Sequence, residues 1–203
     1  MNVLFVCTGN TCRSPMAEAL LKEKWPEQKV KSAGVFAGPG QPMAENSAIV
    51  LNEKNVSLAH QSRMIDRDLL EWADLVLTMT DRHKETLAVQ FPDYQDKYFT
   101  LKEYVLVSEE QWQELKDRYT ALEEKRSKLL QDAEKMENPS DIENMWRQEL
   151  DEDMKAIEKL EREFPDINII DPFGGNVNMY RNTRDELEKY IELLVKKLDN
   201  KSN

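Results

Sequence analysis

Short apolar runs separated by amphipathic stretches dominate the first half of the chain and its last part. Four partly β-branched runs are typical of buried strands, at residues 3–6, 30–36, 74–79 and 97–101. Five stretches with helical character lie between and after them, at residues 15–25, 46–55, 66–72, 81–91 and 176–198. This alternation predicts an α/β fold, a four-stranded parallel sheet with helices on both faces.

Residues 108–166 follow a different pattern, with apolar positions alternately three and four residues apart. The first such set, interrupted by Arg126, is Trp112, Leu115, Tyr119, Leu122, Leu129, Ala133 and Met136. The second set is Ile142, Met145, Trp146, Leu150, Met154, Ile157, Leu160 and Phe164. We therefore expect two helices of about 25–29 residues, each roughly 40 Å long, that form an antiparallel hairpin.

The predicted turn of this hairpin lies at Asn138-Pro139, which breaks the first helix. Ser140 is then the expected N-cap of the second helix, with Glu143 completing a capping box. The sequence thus predicts a domain formed by 1–107 and 167–203, with 108–166 inserted as a helical hairpin.

Two paired helices bury only the apolar seam between them. Trp112, Tyr119 and Trp146 are therefore expected to need a further surface to pack against. The hairpin then serves as a lid, an arm that docks a partner, or an interface for a homodimer. The alternative is a charged, solvated excursion that only lengthens a loop.

Charge is concentrated in the predicted hairpin. The chain of 203 residues carries a net charge of −11, and residues 108–166 contain 19 acidic against 10 basic residues, a net of −9. This excess argues against nucleic acid or an anionic membrane as a partner. No apolar run approaches the ~18 residues of a membrane span, and no signal peptide is expected. Both cysteines share one loop, so we expect a reduced, cytoplasmic protein without a disulfide framework.

The chemistry of the sequence is concentrated immediately after the first strand. A loop runs from Cys7 to Cys12, and Arg13, Ser14 and Pro15 then open a helix, with Ser14 as the expected N-cap and Pro15 at the first helical position. A strand, a tight loop and a helix N-terminus direct backbone N–H groups at one point, which predicts an anion site.

Two side chains make this anion site reactive. The helix dipole and the loop amides favour the thiolate form of Cys7, and the Arg13 guanidinium can hold two phosphoryl oxygens. Such a thiolate is a nucleophile for in-line attack at phosphorus. Gly9 lets the loop turn, Asn10 tolerates a left-handed conformation, and Ser14 can donate a hydrogen bond to the Cys7 sulfur. The alternative is a buried structural cysteine in an ordinary strand–helix turn.

The segment CTGNTCRSPMAEALL resembles the phosphate-binding loop of the low-molecular-weight protein tyrosine phosphatases, and the triplet Ser32-Ala33-Gly34 is similar as well. Thr11 makes the loop similar to the branch that hydrolyses phosphoarginine in proteins. The resemblance covers residues 1–106 and 167–198. It implies phosphorylated protein substrates, a cysteinyl-phosphate intermediate, and neither a metal nor a cofactor.

A phosphatase with a cysteine nucleophile also needs a general acid, which protonates the leaving group and later activates water. Asp171, held by Pro172, is followed by Phe173, and the resemblance makes Asp171 this acid and Phe173 a pocket wall. The alternative is an ordinary turn at this triplet, which the Cys7 loop in the same chain makes less favoured. The predicted catalytic residues are thus Cys7, Arg13 and Asp171.

The resemblance assigns the phosphate- and substrate-binding positions to Thr8, Gly9, Asn10, Thr11, Cys12, Ser14 and Phe173. Cys12 is expected either to resolve an oxidised Cys7 or to be purely structural. His60 is expected to hydrogen-bond near the site without a catalytic role, and His83 is expected on the surface.

Three rival functions remain. A tyrosine phosphatase of the same fold differs by Thr11 and the shape of the pocket. An arsenate reductase would need further cysteines downstream, and none follows Cys12. A protein that acts only through its helical hairpin would not need the catalytic set.

Overall fold

The computed structural model describes residues 1–133 and 139–202, with the side chains at 132, 139–143, 145, 201 and 202 left out of the description. Within these ranges the chain divides into two compact units, residues 1–106 with 166–203 and residues 107–165. The division into a phosphatase domain and an inserted hairpin remains a prediction about independent folding. No helix in the described ranges is long and apolar enough to span a membrane.

The first unit is built on four parallel strands: β1 (Asn2–Cys7), β2 (Lys29–Gly34), β3 (Leu75–Thr78) and β4 (Tyr98–Thr100). Their order in the sheet is β2-β1-β3-β4, so β1 is paired on both sides. Cys7 pairs with Gly34 at the end of the register, which places the following loop at the carboxyl edge of the sheet. Ligands bind at this edge in open parallel sheets.

Six helices of the first unit surround the sheet: α1 (Arg13–Lys24), α2 (Glu45–Asn52), α3 (Arg67–Trp72), α4 (Asp81–Gln90), α5 (Leu101–Leu106) and α8 (Val177–Ser202). A 3-10 helix, Pro92–Lys97, precedes β4. The predicted α/β fold, with helices on both faces of a four-stranded parallel sheet, is confirmed.

Alternating side chains of β1 enter two separate cores. Val3 and Phe5 belong to a cluster on one face that contains residues of α1 and α8, such as Leu20 and Leu187. Leu4 and Val6 belong to a cluster on the other face with residues of α3 and α4. Burial on both faces explains why β1 is a continuous apolar run instead of an alternating one.

The start of α1 differs from the prediction. The helix begins at Arg13, the N-cap position is Cys12, and no side chain caps it. Ser14 therefore lies inside the first turn and Pro15 is the third helical residue. The Ser14 hydroxyl instead hydrogen-bonds groups of the preceding loop and of β2, because those groups are buried beside it.

The second unit consists of two helices of 25 residues each, α6 (Glu109–Ala133) and α7 (Pro139–Glu163). Its core is formed by Leu115, Leu122, Leu129, Leu150 and Ile157, with Trp112, Trp146, Leu160 and Phe164 packed against it. The predicted seam is thus present. Met136, the break at Asn138 and the side chains of Ile142, Met145, Ser140 and Glu143 lie outside the described residues.

Two residues of the predicted seam are exposed and not buried in its core. Tyr119 is 42% exposed, and its hydroxyl donates a hydrogen bond to Glu161 at 2.5 Å. Met154 is exposed to the same extent. Both lie at the edge of the apolar stripe, where a polar tip or a flexible thioether can reach solvent.

Candidate active site

The loop after β1 surrounds a pocket of about 230 Å³. It is lined by Cys7, Thr8, Gly9, Thr11, Cys12, Arg13, Asp171 and Phe173. All three predicted catalytic residues therefore meet in one pocket, although Asp171 is more than 150 residues from the loop. Phe173 is 78% exposed, so it forms the rim and not a closed wall.

The thiol of Cys7 is buried and lies 3.0 Å from the hydroxyl of Ser14. This is the contact expected from the sequence. Either atom can be the donor in this contact. The first turn of α1 follows immediately, so Cys7 also lies near the positive end of a helix dipole.

Asn10 holds the loop from its centre and has the predicted left-handed conformation, with φ of 54°. Its side chain donates to the hydroxyls of Ser14 and Ser32 at 2.9 and 2.8 Å. Its side-chain oxygen accepts the backbone N–H of Arg63, and its own carbonyl accepts from His60 Nε2 at 2.6 Å. The expected structural role of His60 near the site is thus observed.

Gly34 allows the loop to approach β2 closely. A Cβ at this position would lie 2.4 Å from the carbonyl oxygen of Thr8 and 3.0 Å from the amide nitrogen of Asn10. Gly9, in contrast, does not have a positive φ, and a Cβ there would meet only Thr11 Oγ1 at 3.7 Å. The glycine that the loop conformation requires is therefore in the neighbouring strand.

Arg13 and Asp171 form an ion pair across the pocket. Arg13 Nη2 lies 2.7 Å from Asp171 Oδ2, and Nη1 donates to the carbonyl of Ile169 at 3.3 Å. The Arg13 side chain is buried, whereas that of Asp171 is half exposed. The guanidinium thus orients the carboxylate.

The segment before Asp171 is fixed to the sheet. Ile169 donates its N–H to the carbonyl of Met79, which follows β3, at 2.8 Å. The buried Lys102 ammonium donates to the carbonyl of Asn168 and pairs with Glu186 on α8, both at 2.8 Å. A carboxylate on such an anchored segment enters the pocket at a defined position.

Cys12, the last residue of the loop before α1, is buried. Its sulfur lies 3.5 Å from the hydroxyl of Tyr180 and 3.6 Å from Thr11 Oγ1. Burial and the contact with Cys12 raise the pKa of Tyr180, so its hydroxyl keeps its proton. Cys7 and Cys12 are both free thiols, and a disulfide between them remains a prediction.

His83 was expected on the surface, and this is wrong. It is only 7% exposed; Nε2 lies 2.8 Å from Thr8 Oγ1, and Nδ1 lies 2.9 Å from Thr80 Oγ1. Burial, followed by the charge of Arg13, lowers the pKa of His83 to about 4, while Asp171 partly opposes this shift. The sequence signal for its position is the spacing from Thr80, which caps α4 three residues earlier.

Comparisons with known proteins give one family model, relatives that align along nearly all of the chain and others that align along about half of it. The family model for low molecular weight phosphotyrosine protein phosphatases matches residues 2–156. A protein-arginine-phosphatase of Bacillus subtilis is 36% identical over 202 residues, which cover 98% of this chain and 97% of that protein. The low molecular weight protein-tyrosine-phosphatase PtpB of Staphylococcus aureus is 40% identical over 105 residues, 52% of this chain and 74% of that protein.

A solved structure agrees with this. The YwlE arginine phosphatase from Geobacillus stearothermophilus superposes with a TM-score of 0.68 at 35% identity, over 98% of this chain and 94% of that one. The family resemblance read from the loop sequence is thus confirmed. A family model that matches most of the chain, together with relatives that align along nearly all of it, shows that the chain belongs to the low molecular weight phosphotyrosine protein phosphatase family.

Proposed function

We propose that this protein removes phosphate from phosphoarginine residues of other proteins through a phosphocysteine intermediate at Cys7. The observation that carries the proposal is the pocket that holds Cys7, Arg13 and Asp171 together with Thr11. The full-length similarity to a protein-arginine-phosphatase supports the choice of substrate. We infer a reducing, cytoplasmic location, because the two thiols of the loop must remain unpaired for this chemistry.

Substrate binding begins with an exchange of partners at Arg13. A phosphoryl group carries negative charge on several oxygens and matches the guanidinium fork better than a single carboxylate does. We infer that the bound phosphoryl group replaces Asp171 at Arg13. Asp171 is then released from its ion pair and can face the departing group.

In the first chemical step, the Cys7 thiolate attacks phosphorus and the bond from phosphorus to the guanidine nitrogen breaks. Asp171, in its protonated form, donates a proton to the departing nitrogen, so that arginine leaves. Arg13 and the loop amides stabilise the charge on the phosphoryl oxygens. The product of this step is a phosphocysteine and an Asp171 carboxylate.

In the second step, the Asp171 carboxylate accepts a proton from water, and the resulting hydroxide attacks phosphorus. The bond between phosphorus and the Cys7 sulfur breaks, which releases inorganic phosphate and restores the thiolate. Ser14, at 3.0 Å, is placed to donate a hydrogen bond to that thiolate in both steps. A thiolate nucleophile and a carboxyl group carry out both steps, so the mechanism uses no metal ion.

Thr11 is the residue proposed to select phosphoarginine. It lines the pocket, and its hydroxyl contacts the Cys12 sulfur at 3.6 Å. A short hydroxylated side chain that branches at Cβ favours a slim guanidinium chain over a flat phenol ring. The tyrosine phosphatase alternative predicts the opposite preference, and the similarity to PtpB keeps it open for the test.

The test compares kcat/KM for a phosphoarginine peptide and a phosphotyrosine peptide of matched sequence. We expect the wild-type protein to prefer phosphoarginine and Thr11→Ile to shift the ratio toward phosphotyrosine by about 10-fold or more, a change of about 1.4 kcal/mol. Thr11→Val is the matched control, since it removes the hydroxyl at nearly constant volume. Cys7→Ser gives the inactive baseline. A wild-type preference for phosphotyrosine would contradict the substrate assignment and leave the mechanism intact.

The hairpin carries a separate proposal. We infer that α6 and α7 provide an additional surface for a protein partner or a second copy of this chain. Lys125 with Asp153 at 2.9 Å, and the strong excess of acidic residues, give this hairpin a charged exterior suited to basic surfaces. Sedimentation of the purified protein over a range of concentrations tests the second copy directly, because a homodimer predicts a concentration-dependent mass.

A further inference from the structure

Thr80, His83 and Thr8 form a short hydrogen-bonded series that ends in the phosphate pocket. His83 lies in the first turn of α4, and its two ring nitrogens contact the two threonine hydroxyls, Nδ1 at 2.9 Å from Thr80 and Nε2 at 2.8 Å from Thr8. Thr8 follows the nucleophile Cys7 and lines the pocket. The series therefore joins α4 to the first residue of the phosphate loop.

The position of Thr80 favours one tautomer of the imidazole. The Thr80 oxygen caps α4 by accepting the backbone N–H of His83. With that oxygen in use as an acceptor, its own hydroxyl proton can be donated to Nδ1. A neutral imidazole that accepts at Nδ1 carries its proton on Nε2 and donates it to Thr8 Oγ1.

The tautomer decides where the proton of the Thr8 hydroxyl points. If Nε2 accepted from Thr8, this proton would point at the imidazole and away from the pocket. If Nε2 donates, the Thr8 oxygen is the acceptor, and its proton is available to a group in the pocket.

We propose that His83 is a positioning residue that holds Thr8 as an acceptor and thereby directs the Thr8 hydroxyl proton at a bound phosphoryl oxygen. This inference rests on the proposed phosphatase function and adds a side-chain donor to the loop amides and Arg13. A donor that is oriented before the substrate arrives needs no reorganisation during the reaction.

Burial keeps His83 neutral, and the charge of Arg13 adds to this effect. Arg13, on α1, disfavours the imidazolium, and Asp171, on the segment that returns to the sheet, opposes this effect. Burial is the larger cause, and the pKa of His83 falls to about 4. The imidazole thus stays in a single charge state over the neutral pH range.

The first experiment reads the tautomer directly by NMR of the imidazole nitrogens. The chain contains two histidines, so His60→Gln assigns the remaining signals to His83. We expect the neutral form with the proton on Nε2 between pH 5.5 and pH 8. A proton on Nδ1, or titration of His83 near its ordinary pKa of about 6.5, would overturn the proposal.

The second experiment measures kcat and KM with p-nitrophenyl phosphate, so that the result is independent of the preference between arginine and tyrosine. Thr8→Val is expected to lower kcat/KM about 10- to 100-fold. Thr8→Ser keeps the hydroxyl and is expected to restore most of this loss. A wild-type protein without any hydrolysis would contradict the proposed function itself, and the NMR result would still decide the tautomer.

A double-mutant cycle separates positioning from a general effect on folding. His83→Phe fills the buried space without a ring nitrogen, whereas His83→Gln keeps a polar group near the place of Nε2. If His83 acts through Thr8, adding His83→Phe to Thr8→Val lowers kcat/KM by less than about 2-fold. Losses that multiply, or a Thr8→Val variant with wild-type kcat/KM, would contradict the inference.

Discussion

The phosphate loop and the helical hairpin differ in what is buried. Around the loop, the buried groups include polar side chains such as Asn10, Ser14 and Ser32, each with specific partners. In the hairpin, the buried core consists of leucine and isoleucine, with aromatic side chains packed against it, and the ion pairs are on the exterior. Breaking one buried polar contact costs about 1–3 kcal/mol, while apolar residues of similar volume replace each other for less than about 1.5 kcal/mol. The conformation of the loop thus requires particular residues, whereas the hairpin core mainly requires apolar residues of suitable volume.

The largest loss of activity is expected from a substitution at Gly34, the residue of β2 that the phosphate loop approaches. Gly34→Ala is expected to lower kcat/KM about 100-fold or more, because its Cβ would lie 2.4 Å from the Thr8 carbonyl and displace the loop. Steady-state kinetics with p-nitrophenyl phosphate measures the loss. Gly38→Ala is the matched control, since a Cβ there approaches only the Gln41 side chain. Wild-type activity in Gly34→Ala would show that the loop tolerates displacement.

A substitution in the hairpin core is expected to lower the stability of the hairpin and to leave kcat/KM almost unchanged. Ile157→Ala is expected to destabilise the hairpin by about 2–4 kcal/mol, because Ile157 is buried in its core. Hydrogen exchange of the α6 and α7 amides measures this loss, and kcat/KM for a small substrate is expected to stay within 2-fold. Met154→Ala, at an exposed position of α7, is the control with a small effect. A large loss of activity in Ile157→Ala would connect the hairpin core to catalysis.

The smallest effect is expected when the hairpin is removed altogether. Replacing residues 108–166 by a short linker should leave a folded domain with kcat/KM for p-nitrophenyl phosphate within about 2-fold of wild type. The reason is that Lys102, just after β4, already bonds Asn168 on the returning segment, so both cut ends belong to one packed region. Thermal unfolding and kinetics check this, and aggregation or a much lower Tm would show that the hairpin is needed for folding.

The strand, loop and first helix could be predicted because their signals are local. A continuous apolar run, the Cys7 to Arg13 spacing and a left-handed asparagine are all readable within a short segment. The contact between Cys7 and Ser14 followed from the same segment. Ser14 was predicted to cap α1, but its hydroxyl hydrogen-bonds buried groups of the loop and of β2 instead.

The rest of the site depends on contacts that sequence patterns do not encode. His83 lies in a short polar stretch typical of an exposed helix, yet it is buried against Thr8, 75 residues away. The need for glycine at position 34 arises from the approach of a neighbouring strand end and the loop. Tyr180 lies in the predicted last helix, but its contact with Cys12 follows only from how α8 packs against the sheet.

The order of elements along the chain has a consequence for synthesis on the ribosome. The face of the sheet that carries Phe5 is completed by Leu187, Ile191 and Leu194 of α8, which are made after the hairpin. About 60 residues separate the two parts of this unit, and at ~5–20 residues per second they add roughly 3–12 s. For that interval this face is covered by α1 but not by α8, so the hairpin sets how long its apolar packing stays incomplete.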